Sequence, residues 1–351
     1  MAASGAAEAK GGLPRVAVFG AGLIGIYIGG RLARFSRLTL VGRPSMLGPL
    51  EGGLTVTDMD GHNEAIAADR FRRSGSADGL ADAELVLVTV KSQASEDAAA
   101  AILARAPESA VVISFQNGVA NAARLRALLP GRTVIAGMVP YNVVQRAPDH
   151  FHRGTPGSLV VEAGAALDPF RQMFAESGMP LAETANIEGV MWGKLLINLN
   201  NAVNALSGVS LAEQLRQRDF RKAWALALKE ALELVKRTKV KPVDPLPVSL
   251  ALLPYILSLP DSLYGKAMAQ AGGGRMKVDP HARSSMADDL AKGRKTEVDW
   301  INGEVVRLAA AQGKPAPVNR RLVELVREAE AGALPWKASA LLADLLRAKA
   351  G

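Results

Sequence analysis

Lys194, Asn198 and Asn201 fall in the run Trp192-Gly193-Lys194-Leu195-Leu196-Ile197-Asn198-Leu199-Asn200-Asn201, which is otherwise apolar at helical spacing. At about 100° per residue, Asn198 lies about 40° and Asn201 about 20° from Lys194 around a helix. One cation and two amides therefore share a face, and burying them is costly unless each meets a partner. Such a face suits a ligand site. It can also bridge the helix to polar groups on neighbouring elements. Asn200 points elsewhere and reads as structural.

A second chemistry-bearing stretch is Val16-Ala17-Val18-Phe19-Gly20-Ala21-Gly22-Leu23-Ile24-Gly25, a Gly-x-Gly-x-x-Gly directly after a short apolar strand and before a helical pattern reaching about Arg34. Gly20 permits a tight strand-to-helix turn, Gly22 lets backbone approach a pyrophosphate, and Gly25 lets helix and strand pack closely, with the helix N-terminus facing the phosphates. This context points to dinucleotide binding. Arg43 ends the second strand, where an acid would ordinarily take the ribose 2′-hydroxyl; a guanidinium there suits a 2′-phosphate and so NADP. A third cluster runs from Arg283-Ser284-Ser285-Met286 to Thr296-Glu297-Val298-Asp299-Trp300-Ile301-Asn302-Gly303. Taken alone, Glu297 reads as a first-turn helix acid with Thr296 as its N-cap.

The elements that must carry these residues change character halfway along. Strand-like runs at Leu38–Arg43, Leu85–Val90, Val111–Phe115, Thr133–Met138 and Ser158–Glu162 alternate with helical patterns, and Gly53–Val56 with Asp60-Gly61 reads as a hairpin excursion. Residues 14–186 therefore predict a doubly wound, Rossmann-type α/β domain. From Ile187 the apolar spacing is helical through Val190–Ala205, Phe220–Val235, Val298–Ala309, Val318–Arg327 and Pro335–Arg347. Residues 187–351 therefore predict an all-helical domain, with a ligand crevice expected between the halves. Residues 241–282, with six prolines and Gly272-Gly273-Gly274, read as an irregular loop. Residues 1–13 read as a flexible tail.

Composition narrows the classes. The 351 residues include no cysteine, so disulfides, thiol nucleophiles and Cys-based metal sites are excluded. Four histidines without a helical i, i+4 pair argue against a metal site. The net charge of +8 is scattered among acids with no basic tract, so nucleic acid is not indicated; an anionic cofactor and an anionic small substrate explain a modest positive field equally well, and a generally basic surface accounts for most of the charge. No apolar run is long enough to span a bilayer and no signal peptide is evident, so a cytoplasmic location is expected.

Together, Gly20 to Gly25, Lys91 in Val-Thr-Val-Lys, Gln116-Asn117-Gly118, Lys194-Leu195-Leu196-Ile197-Asn198, Ser284-Ser285-Met286 and Thr296-Glu297-Val298-Asp299-x-Ile301-Asn302-Gly303 resemble the ketopantoate reductase (2-dehydropantoate 2-reductase) family, in family order from residue 15 to about 330. The resemblance implies NADPH-dependent reduction of a 2-oxo acid to a 2-hydroxy acid, with ketopantoate to pantoate, a step of pantothenate biosynthesis, as first candidate. It makes Lys194 the proton donor and sets Asn117 at nicotinamide and substrate. Asn198 and Ser285 would then bind substrate, Glu297 would bridge cofactor and active site, and Lys91 would line the cofactor cleft. It also implies a homodimer. Two departures stand on the substrate side: the 241–282 segment is longer and richer in proline than the usual equivalent, and the family's second Asn, eight positions after the Lys, is Ala202 here. Asn201 or Asn204 could replace it, and helical phase favours Asn201. A β-hydroxyacid dehydrogenase-like enzyme shares the two-domain plan and the Lys-to-Asn helix but not the Ser-Ser-Met and Thr-Glu-x-Asp pieces. A catalytically silent NADP sensor would need the glycine loop and Arg43, but not Lys194, Asn198, Ser285 and Glu297 together.

Overall fold

The computed structural model describes residues 12–272 and 282–350. Most of the expected N-terminal tail, together with Gly273, Gly274 and His281 of the expected loop, lies outside them. The chain divides into two compact units: one runs to Ala185 and the other from Asn186, except that the short turn Asn117–Ala120 belongs to the second.

The first unit begins with β1 (Arg15–Phe19), α1 (Leu23–Leu32), β2 (Arg37–Val41) and α2 (Pro44–Leu47). Next come β3 (Leu54–Asp58), β4 (Asn63–Ile66), β5 (Phe71–Ser74), β6 (Leu85–Val88) and α3 (Ser95–Arg105). The rest comprises β7 (Val111–Ser114), α4 (Asn121–Leu128), β8 (Val134–Met138), β9 (Val143–Ala147), β10 (His150–Arg153), β11 (Val160–Glu162), α5 (Arg171–Glu176) and β12 (Ala182–Thr184). Eight strands form one sheet in the order β12-β11-β8-β7-β6-β1-β2-β5. From β8 to β5 the pairing is parallel, and β11 runs antiparallel to β8. All four residues of β6 are buried, as a parallel strand covered on both faces requires. Because β2 and β6 flank β1 on opposite sides, the strand order reverses there, which puts the crevice of such a sheet at the carboxyl end of β1.

The hairpin excursion is present as the antiparallel pair β3–β4. It joins β10 and β9 in a separate four-stranded sheet, β4-β3-β10-β9, which the sequence reading did not contain. The reason is local: β10 reads His-Phe-His-Arg, and only Phe151 supplies a fully buried apolar side chain.

The second unit is built from helices, with no strand among its described residues: α6 (Ile187–Asn198), α7 (Asn200–Ser207), α8 (Leu211–Arg216), α9 (Arg218–Val235), α10 (Leu253–Ser258), α11 (Asp261–Gly272), α12 (Ser285–Ala291), α13 (Asn302–Ala311), α14 (Pro317–Glu330) and α15 (Ala338–Ala350). α9 is its hub. Phe220, Ala223, Trp224, Ala227, Leu228, Ala231 and Leu234 recur at i, i+3, i+4 spacing, and all are buried. α10 and α15 pack against it, α15 through the fully buried Leu341 and Leu345. Each large apolar side chain so buried contributes about 1.5–3 kcal/mol.

Of the irregular loop expected over 241–282, residues 241–252 are without helix or strand, whereas 253–272 are corrected by α10 and α11. Prolines at Pro254 and Pro260 sit at or just before helix starts, where their missing N–H costs nothing. The fully buried Arg221 then organises the pair. Its guanidinium donates to the carbonyls of Leu257 and Leu259 and to Asp261, and stacks 4.1 Å from the Tyr264 ring. Among the described residues no helix is long and apolar enough to cross a membrane, and no group of three His, Asp or Glu could hold a metal ion.

Candidate active site

In the first unit the three glycines of the loop answer to three separate constraints. Gly20 has φ of 102°, and a Cβ there would meet the Val90 backbone nitrogen at 2.5 Å. Gly25 faces the Thr89 hydroxyl, which would lie 2.5 Å from an added Cβ and already donates to the Gly20 carbonyl at 2.8 Å. Gly22 is different. Nothing but the Gly20 carbonyl, at 3.8 Å, comes near its absent Cβ, so the backbone there is bare toward open space. The first intrahelical donor of α1 is Ile26, to the Gly22 carbonyl at 2.8 Å; the N–H groups of Leu23, Ile24 and Gly25 precede it and have no acceptor within the helix. No acid occupies this first turn. Bare backbone plus a positive helix end fits a dinucleotide's diphosphate. Ala21 does not join them: it is buried and its N–H goes to the Val41 carbonyl, so it shapes the turn without offering a donor.

Arg43 caps α2 from the end of β2, extended and exposed, and its side chain makes no hydrogen bond or ion pair among the described residues. Lys91 follows β6, exposed at the start of a short 3₁₀ turn. The turn that Lys91 opens is held by a buried polar network that sequence reasoning missed. Gln116 donates to the Val90 carbonyl and the Ser95 hydroxyl, and Asn121 donates to the Ser92 hydroxyl and accepts from Ser95. Isolated Ser, Gln and Asn in a sequence give no signal that they will be buried together.

In the second unit three sequence-distant residues meet. Lys194 Nζ donates to Asn117 Oδ1 at 2.8 Å, and Asn117 Nδ2 donates to Glu297 Oε2 at 3.3 Å. Burial of the ammonium pulls the Lys194 pKa down from 10.5 to about 8, against the opposing pull of the Glu297 carboxylate. Asn117 reaches this unit because its turn carries Val119, which packs into the helical core.

Local sequence explains how α6 holds Lys194. Asn186 caps the helix by accepting from the Gly189 N–H. Gly189 and Gly193, one turn apart, let the chain at Lys241 to Val243 lie directly on the helix backbone, and the Val243 N–H bonds the Gly189 carbonyl. The single helix expected through Ala205 is instead two, α6 and α7, interrupted at Leu199. Leu199 keeps right-handed helical dihedrals, so the phase survives. Lys194, Ile197, Asn198 and Asn201 form one half-buried stripe on a surface otherwise turned to the core.

Hydrogen bonding separates the amides. Among the described residues the side chains of Asn198 and Asn201 make no hydrogen bond. Asn200 exchanges two with Gln214. Asn204, fully buried, accepts from the Ser284 N–H and donates to the Val209 carbonyl, so its side chain is engaged within the fold. Ala202 is also fully buried in the helical core. Ser284 caps α12 and its hydroxyl reaches the Asn201 carbonyl, while Ser285 beside it is exposed. Glu297 is not a first-turn α-helix acid. It precedes a 3₁₀ turn, Val298–Trp300, whose Val298 N–H bonds the Thr296 hydroxyl, and this frees its carboxylate to face Asn117.

Two family descriptions match the chain: "Ketopantoate reductase PanE/ApbA" over residues 16–166 and "Ketopantoate reductase PanE/ApbA C terminal" over 186–330. The 2-dehydropantoate 2-reductase of Halobacterium salinarum is 29% identical over 327 residues, covering 90% of this chain and 99% of that one. A PanE/ApbA family ketopantoate reductase from Ralstonia eutropha JMP134 superposes with a TM-score of 0.76 at 31% identity, over 90% of this chain and 98% of that one. A D-mandelate dehydrogenase, solved in ternary complex with NADH and anilino(oxo)acetate, shares the fold at a TM-score of 0.72 and 19% identity, over 90% and 98% of the chains. With both family descriptions spanning most of its length and the motif residues in place, the chain belongs to the ketopantoate reductase family and is an oxidoreductase.

Proposed function

We propose that the chain reduces a 2-oxo acid to the 2-hydroxy acid with NADPH, ketopantoate being the first candidate substrate. The observation that carries this reading is the Lys194–Asn117–Glu297 chain, an ammonium of depressed pKa hydrogen-bonded between family motifs far apart in sequence. The relatives' names support the substrate class.

A reduced nicotinamide, when bound, supplies the hydride for the keto carbon. Lys194 stabilises the charge growing on the substrate carbonyl oxygen and gives it a proton, and a pKa of about 8 suits a general acid working near neutrality. Asn117 holds that ammonium through its Oδ1 and Glu297 through its Nδ2, so the two side chains fix where the proton is delivered. Asn198, Asn201 and Ser285 supply the hydrogen-bonding groups for the substrate's carboxylate and hydroxyls. Gly22 with the N–H groups of Leu23, Ile24 and Gly25 holds the diphosphate, Lys91 lines the cleft, and Arg43 takes the 2′-phosphate.

The test is steady-state oxidation of NADPH and of NADH with ketopantoate beside 2-oxoisovalerate. Turnover of neither acid with either cofactor would overturn the proposal. A homodimer, also proposed, is read by light scattering of the purified chain.

A further inference from the structure

The segment bearing Glu297 is stitched to α14 at three points. At its start, Glu330 Oε1 accepts from the Thr296 N–H at 2.8 Å and from the Thr296 hydroxyl at 2.7 Å, while Oε2 accepts from Lys295 at 2.9 Å. In the middle, Arg327 donates to Asp299 at 2.6 Å. At its end, Asn302 Nδ2 donates to Asn319 Oδ1 at 3.1 Å, and Asn319 donates onward to Glu230 and the Ala227 carbonyl.

These anchors differ in worth. The Arg327–Asp299 pair is exposed on both sides and contributes little. The Asn302–Asn319 bond lies five residues past Glu297, across the 3₁₀ turn. Glu330 acts on the residue immediately before Glu297, and its side chain is only 8% exposed whereas its Lys295 partner is 80% exposed. Burial works against the Glu330 carboxylate, yet the Thr296 bonds and the Lys295 charge outweigh it and hold its pKa below the ordinary value. A buried ionised carboxylate spent on one backbone N–H and its hydroxyl fixes that residue's orientation.

We propose that Glu330 is the positioning residue for Glu297: by locking Thr296 it aims the neighbouring carboxylate at Asn117 and, through it, at Lys194. The inference deepens the proposed function and rests on Lys194 as proton donor. Glu330 itself touches none of the three. The 3.3 Å Asn117–Glu297 bond has little slack, so a small rotation at Thr296 breaks it.

The test needs a readout independent of turnover. Trace acetylation of the full-length protein across a pH series, followed by peptide mass spectrometry, reports the titration midpoint of Lys194. Glu297 is the charged group that supports the ammonium, so releasing it moves the midpoint to lower pH. Glu330→Ala is expected to move it down by about half a pH unit or more, and to cut kcat/KM by about tenfold to a hundredfold, with the alkaline limb of the rate profile shifting alike. Glu330→Gln, whose Oε1 can still accept both Thr296 bonds, is expected to restore both readouts to within about twofold of wild type. Lys295→Ala, which removes only the exposed partner, is expected to leave both in place. An unmoved midpoint in Glu330→Ala overturns the proposal, as does Glu330→Gln or Lys295→Ala shifting as far as Glu330→Ala, because charge alone would then explain the effect. Should Glu330→Ala fail to fold, Glu330→Asp, whose carboxylate is one methylene short of Thr296 and which leaves the Val298–Thr296 bond untouched, must move the midpoint in the same direction; no movement in that variant is equally fatal. Absence of 2-oxo acid turnover alongside a shifted midpoint would sink the catalytic reading and leave the positioning role standing.

Discussion

Replacing Lys194 by Met should stabilise the protein at neutral pH while disabling it. The ammonium's pKa falls from 10.5 to about 8 because burial penalises the charged form more than Glu297 rewards it. At 1.36 kcal/mol per pH unit, holding the group protonated in the fold costs about 3 kcal/mol. The folded state binds its proton less tightly than the unfolded chain does, so this cost is present in full below pH about 8. It shrinks as pH rises toward 10.5 and vanishes above it. Met fills a similar volume without a charge, although it leaves Asn117 and Glu297 short of one partner. The expected gain at pH 7 is therefore about 1–3 kcal/mol, falling toward zero, or slightly negative, by pH 10.5. The loss of a positioned acid should lower kcat by about 10²–10⁴. Urea unfolding of wild type and variant at a series of pH values, beside steady-state kinetics, reads both effects. A Lys194→Met protein that is less stable than wild type at pH 7, with a difference that does not change up to pH 10, would show that the ammonium is not held at a cost. Near-wild-type kcat would show that the proton comes from elsewhere.

Arg43→Ala should weaken NADPH binding by about tenfold to a hundredfold, the equivalent of one charge-assisted hydrogen bond of about 1.5–3 kcal/mol, and leave NADH binding nearly unchanged; fluorescence titration decides, and equal wild-type affinity for both cofactors refutes the assignment. Asn198→Ala should raise KM for the 2-oxo acid by about three- to tenfold with little change in kcat, because its amide is one of those not engaged within the fold; an unchanged KM would remove Asn198 from the substrate site. Gly193→Ala places a methyl against the Val243 carbonyl and should cost about 1–3 kcal/mol in thermal or urea unfolding, with a rise in proteolysis near Lys241; a Tm within error of wild type would mean that the 241–243 segment is not seated on α6.

The sequence by itself determined whatever depends on neighbours along the chain. The apolar run Leu85–Val88 specifies a strand covered on both faces, and the spacing of Phe220 to Leu234 specifies a helix with one buried stripe. The Gly20, Gly22 and Gly25 spacing is legible as a strand-to-helix turn, whereas the contacts that forbid a Cβ at Gly20 and Gly25 come largely from Thr89 and Val90, which only the tertiary structure brings there. Helical phase placed Lys194, Asn198 and Asn201 on one stripe, and it held through the interruption at Leu199. The packing of residues distant in sequence was settled only by tertiary structure. Helical phase sets Asn204 about 80° from Lys194, outside that stripe, but the sequence does not show what it meets there: the Ser284 N–H, 80 residues later, and the Val209 carbonyl take its side chain. That Ala202 is fully buried could not be read from the sequence, because burial is fixed by what packs against α7. The helices within 241–272 were hidden by prolines whose cost disappears at helix starts, and by Arg221, whose guanidinium takes carbonyls nearly 40 residues away. Glu330 gave no signal at all, since a carboxylate near the end of an amphipathic helix is ordinarily solvated. Its role exists only because the Thr296 N–H and hydroxyl are folded against it, a pairing of 34 residues' separation that no local period encodes.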